Sequence, residues 1–134
     1  MGLKYLLDTN ICIYILKNSS ENAVNCFNDK VSGELGISSI VYGELLYGAF
    51  KSDRQAKVIQ RLNEFLALVP PYLLPTDAAQ YYGKARAFLE KQGKPISSND
   101  LWIAAHAMSL NVILVTNNEK EFNRIPGLKL ENWC

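Results

Sequence analysis

At 134 residues, with 49% apolar and 20% charged side chains, the chain suits one globular domain over residues 1–134 with a sizeable core. A formal net charge of +1 demands no polyanionic partner, though a local basic patch remains compatible with it. No apolar run is long enough for a bilayer and no signal-peptide order is visible, so no membrane partner and a cytoplasmic location are expected, with Cys12, Cys26 and Cys134 as reduced thiols.

In chain order, "LKYLL" predicts a short strand, and "NICIYILKN" a helix that Thr9 or Asn10 caps. A helix follows around residues 20–30, and "ELGIS" is a second strand. Ser38 or Ser39 then caps a helix through "IVYGELLYGAF", and residues 53–67 form another that ends before "VPPYLLP". Thr76 or Asp77 opens a helix to about Gln92, stopped by "GKP". Ser97, Ser98 or Asn99 caps the helix "DLWIAAHAMSL". The β-branched "NVILVT" is a strand, "NEKEF" a helical turn and "LKLENW" a final strand. Strands that alternate with helices predict a parallel sheet covered on both faces. Sites in such sheets form at the carboxyl ends of strands, near a switch in strand order.

Three acids interrupt this pattern. Asp8 stands where the first strand gives way to a helix, in the middle of the most apolar segment. A plain helix cap accounts for it equally well. Glu44 shares a helical face with Ile40, Val41 and Leu45, between Gly43 and Gly48, and a salt bridge to an internal arginine is the alternative. Asp100 heads the apolar stripe of Ile103, Ala104 and Ala107, and also suits the positive end of its helix dipole. Three such acids from three segments point to one strand-end crevice. Carboxylates gathered without counter-charge are tolerable around a divalent cation, and oxygen-only ligands suit Mg²⁺ or Mn²⁺. Such ions bind substrate phosphates and activate water for in-line displacement.

Four ordered blocks, "LLDTNICIYILK", "SSIVYGELLYGA", "DLWIAAHA" and "ILVTNNEKEF", resemble those of PIN-domain ribonucleases, and within them the VapC-type toxins of bacterial toxin–antitoxin pairs. The resemblance covers essentially the whole chain. It implies a PIN-like three-layer α/β/α fold around a mostly parallel sheet. It also implies a Mg²⁺- or Mn²⁺-dependent endoribonuclease that cuts structured RNA, such as a tRNA anticodon loop, to inhibit translation. A homodimer is implied, joined by a VapB-type antitoxin into a toxin–antitoxin hetero-oligomer. The family's metal ligands carry over onto Asp8, Glu44 and Asp100. Where many PIN domains place a fourth acid this chain has Asn118, whose amide oxygen brings no charge; Glu121, a turn later, is the candidate replacement. Thr116 is expected near the metal or the scissile phosphate.

His106, the sole histidine, lies about 240° round its helix from Asp100 and reads as a packing or surface residue. Arg86 shares a face with Tyr82 and Leu89, which turns it inward, toward an acid, an RNA phosphate or a structural ion pair. Lys51, Arg54, Lys57 and Arg61 suit either an RNA backbone or a solvated helix face. Two rival functions remain: a PIN fold that binds without cutting, and an aspartyl-phosphate enzyme that uses Asp8. The second leaves Glu44 unexplained.

Overall fold

The computed structural model describes residues 2–134. Strand β1 (Tyr5–Leu7) leads into helix α1 (Thr9–Leu16) and then α2 (Glu21–Asn28). Strand β2 (Leu35–Ser38) is followed by α3 (Ser39–Phe50), α4 (Gln55–Leu68) and the two-residue strand β3 (Pro71–Tyr72). Helices α5 (Ala78–Lys91) and α6 (Ser98–Leu110) precede β4 (Ile113–Val115), α7 (Glu119–Phe122) and β5 (Leu130–Glu131).

The five strands form one sheet in the order β3-β2-β1-β4-β5, and every neighbouring pair is parallel. The apolar runs dictate this. Leu6, Leu7, Ile37, Leu114 and Val115 are fully buried, so β1, β2 and β4 have no face to offer to water. Helices on both faces complete the three layers, as the sequence predicts.

The sequence signals also set most element boundaries. Ser38 caps α3 by accepting from the Ile40 amide (3.1 Å), and Ser97 caps α6 by accepting from the Asp100 amide (3.3 Å). Asp77 precedes α5 without a side-chain cap bond. The cap of α1 is Asp8, one residue before the predicted Thr9 or Asn10. The "VPPYLLP" segment contains β3, which its prolines hide. Pro71 opens an edge strand, where a missing N–H is tolerated. Gly36 in β2 makes room for that strand: a Cβ there would lie 2.5 Å from the Tyr72 ring.

The topology fixes where a site can form. From β1 the chain moves outward through β2 to β3, then crosses back to place β4 on the other side of β1. The switch in strand order therefore lies between β1 and β4, and the crevice opens at their carboxyl ends. Asp8 follows one of these strands and Thr116 the other.

Candidate active site at the switch point

Asp8 holds its place through backbone and side chain together. Its N–H donates to the Val115 carbonyl (3.0 Å), the last rung between β1 and β4, and its Oδ1 accepts from the Ile11 amide (3.0 Å) as the cap of α1. The residue is only 6% exposed. Burial pushes its carboxyl up to about 6; hydrogen bonds from the Thr116 hydroxyl and the Ile11 amide oppose the rise, and the nearby charges of Asp100 and Glu44 add to it.

Thr116, fully buried at the end of β4, also accepts from the Asn118 amide (3.0 Å). Asn118 in turn donates from Nδ2 to Glu121 Oε2 (3.1 Å). Glu121 stands near enough to Asp100, in the first turn of α6, for its charge to raise the Asp100 carboxyl. Burial raises the Asp100 carboxyl above its usual range, the Ser97 hydroxyl lowers it, and the charges of Glu121 and Glu44 raise it further. Glu44, from the second turn of α3, accepts from the Thr9 hydroxyl on one oxygen and from Asn99 Nδ2 (3.3 Å) on the other.

Asp8, Glu44, Asp100 and Glu121 thus come together from four separate elements, with Thr116 and Asn118 between them. The ion pairs among the described residues, Lys4–Glu34 (3.2 Å) and Arg86–Glu90 (3.0 Å), involve none of these acids. Their partners are hydroxyls and amides instead. Among the described residues no three acidic, histidine or cysteine side chains already stand close enough to cage an ion. The donor chemistry nevertheless fits a hard divalent cation: oxygen atoms only, several negative charges and no compensating cation.

His106 lies outside this group. It is 0% exposed, neither ring nitrogen has a hydrogen-bond partner among the described residues, and burial lowers its imidazole to about 4. It is a packing residue, the first of the two roles, packing or surface, that its helical position allows. Arg86 faces outward and not inward, because Glu90 (3.0 Å) and the Tyr82 hydroxyl (2.7 Å) draw its guanidinium along the surface of α5. Lys51 and Arg61 border a groove of about 590 Å³ between α1, α3 and α4. Ile13, Leu16, Leu45 and Leu62 make its walls apolar, and Glu44 also borders it, so the groove adjoins the acids. Arg54 and Lys57 are exposed.

Sequence reasoning missed Asn117, and it offered Thr9 and Asn99 only as candidate helix caps. Asn99 and Thr9 grip Glu44 from 55 and 35 residues away, and Asn117 donates to the Tyr14 hydroxyl across 103 residues. Nothing in the local pattern announces such pairings. A tripeptide of hydrogen-bonding side chains after a buried strand, "TNN", was the available signal.

Comparison with known proteins bears on the whole chain. The model of the PIN domain family matches residues 5–128. A relative from Haemophilus influenzae, ribonuclease VapC2, is 43% identical over 131 residues, covering 98% of each chain. The tRNA(fMet)-specific endonuclease VapC of Salmonella typhimurium is 41% identical over 132 residues, covering 98% of this chain and 99% of its own. Among solved structures, the DNA-bound VapBC of Salmonella typhimurium contains a chain that superposes with a TM-score of 0.91 at 40% identity, covering 98% of this chain and 99% of that one.

Proposed function

The chain belongs to the PIN-domain family, and from that premise we propose that it is a VapC-type ribonuclease toxin: an endoribonuclease that needs Mg²⁺ or Mn²⁺, cuts tRNA and is silenced by a VapB-type antitoxin. The observation that carries this reading is the set of acids at the switch point, held by neutral donors and left without a cation.

In this reading Asp8 and Asp100 are the principal ligands, Glu44 and Glu121 complete the acidic set, and Asn118 supplies an uncharged oxygen. A divalent ion bound there supplies a polarised phosphate, an activated water and charge compensation for the leaving oxygen. The chain's own groups do the rest. Thr9 and Asn99 fix the Glu44 carboxylate, and the cap bond from Ile11 fixes Asp8, so the acids face the RNA phosphate already oriented. Thr116, fully buried at the end of β4 with its oxygen accepting from the Asn118 amide, supports the crevice from behind and holds the turn that carries Asn118. No imidazole takes part, since His106 has no route to the crevice from its buried place in α6.

The groove beside Glu44 suits the antitoxin. Its apolar walls match an apolar segment, and its Lys17, Lys51 and Arg61 border suits acidic residues next to it. Exposed Tyr47 and Phe50 on α3 suit a homodimer contact. The named substrate of the Salmonella typhimurium relative, at 41% identity over almost the full length, supports tRNA as the substrate class.

The test is incubation with total RNA in Mg²⁺ or Mn²⁺ and again with chelator, followed by mapping of new 5′ ends. Ion-dependent ends within tRNA anticodon loops are expected. Cleavage that persists in chelator overturns the metal mechanism, and intact RNA under every condition favours a PIN fold that only binds.

A further inference from the structure

We propose that Tyr14 and Asn117 are positioning residues: a brace between α1 and the β4–α7 turn that holds Thr116, Asn118 and Glu121 in register with Asp8. The inference rests on the functional reading above and extends it to two residues outside the acidic set.

The turn after β4 is held on two sides. Just before it the Val115 carbonyl accepts from the Asp8 N–H (3.0 Å); within it Asn118 Nδ2 donates to Glu121 (3.1 Å), its amide donates to Thr116 Oγ1 (3.0 Å), and Asn117 Nδ2 donates to the Tyr14 hydroxyl (2.8 Å). Asp8 and Tyr14 belong to one rigid body, since Asp8 caps the helix on which Tyr14 lies. The turn is therefore fastened to α1 and its cap at two points, Val115–Asp8 through the backbone and Asn117–Tyr14 through side chains. One bond would leave the turn free to pivot about it, whereas two fix its orientation.

The amide has no second anchor. Asn117 Oδ1 is buried without a partner among the described residues, so the Tyr14 hydroxyl is the side chain's recorded polar contact. Removing that hydroxyl leaves a whole amide unsatisfied in a partly buried place, and the turn escapes the penalty by moving. The two residues beside Asn117 carry site contacts, so the movement falls on the site.

The experiment compares wild type, Tyr14→Phe and the double variant Tyr14→Phe/Asn117→Leu. For Tyr14→Phe we expect kcat for RNA cleavage to fall about tenfold with KM changed less than twofold. In the metal-free protein the Asn118 amide should exchange hydrogen faster, and the melting temperature should drop by about 5 °C. The double variant removes both polar partners, so its melting temperature should return close to wild type while kcat stays low. A role in packing alone makes kcat recover together with melting temperature, and that result overturns the proposal. So does a Tyr14→Phe protein with wild-type Asn118 exchange. If wild type itself fails to cleave RNA with added metal, the functional reading falls, and exchange in the metal-free proteins still decides whether the brace exists.

Discussion

Two buried polar side chains, Asp8 and His106, show how differently this fold treats the same problem in two places. Each is almost removed from water, at 6% and 0% exposure, and burial disfavours the charged form of each. Around Asp8 the protein builds a cap bond, a threonine hydroxyl and a set of further acids. Around His106 it builds nothing polar that reaches either nitrogen. A buried ionisable group with a dedicated set of donors is being held for use, and one without donors is filling space.

The largest effects should separate the two places by activity. Asp100→Asn or Glu44→Gln should lower metal-dependent RNA cleavage by about 10²–10³-fold, acting on kcat more than on RNA affinity. His106→Leu should keep wild-type cleavage. Leucine is the better probe here, because alanine at a fully buried site opens a cavity that weakens the fold. Loss of activity in a folded His106→Leu protein would break the contrast.

Stability should sharpen it next. Without metal, Asp8→Asn keeps an oxygen for the cap and removes a charge from among the acids. Its melting curve at pH 7 should show a gain on the order of 3 kcal/mol over wild type, following a carboxyl raised from 3.8 to about 6. Added Mn²⁺ should raise the melting temperature of wild type and much less that of the variant. Equal shifts would remove Asp8 from the metal site.

The pH dependence is a finer test, because the two groups work in opposite directions. Folded Asp8 binds its proton more tightly than unfolded Asp8, so its contribution to stability declines as pH rises from about 4 to 6. Folded His106 binds its proton less tightly, at about 4 against 6.5, so its contribution is lost as pH falls through that window. In wild type the slopes oppose each other. Denaturant titrations of the metal-free proteins should show Asp8→Asn weakening on acidification and His106→Leu strengthening. Parallel curves would mean that neither shift exists. The smallest effect belongs to a surface control: Arg86→Ala removes an exposed ion pair and should leave cleavage and melting temperature unchanged.

The sequence made the frame legible because the frame is local. Wholly apolar runs mark β1 and β4, serines mark the starts of α3 and α6, and acids that break such runs mark the crevice. What stayed hidden depends on contacts across the chain. Strand β3 is two residues long and owes its existence to pairing with β2 and to the missing side chain of Gly36. Helix α6 buries Leu101 and Ile103 through Ala107, so its periodicity could place His106 away from Asp100 without telling packing from surface. Arg86 forms the structural ion pair that its helical face allows, but on the surface, where Glu90 and the Tyr82 hydroxyl hold it outward. The grips of Thr9 and Asn99 on Glu44 join residues that no short pattern connects.

The switch in strand order also governs when the protein becomes dangerous. Strand β1 emerges from the ribosome first, yet its partner β4 follows more than a hundred residues later, and Glu121 later still. At translation speeds of roughly 5–20 residues per second, Asp8 waits about 5–20 s for the strand that completes its surroundings. The pairing that closes the crevice is non-local and among the slower steps of folding. A nascent or truncated chain that stops before β4 therefore carries Asp8, Glu44 and Asp100 with no switch point to gather them.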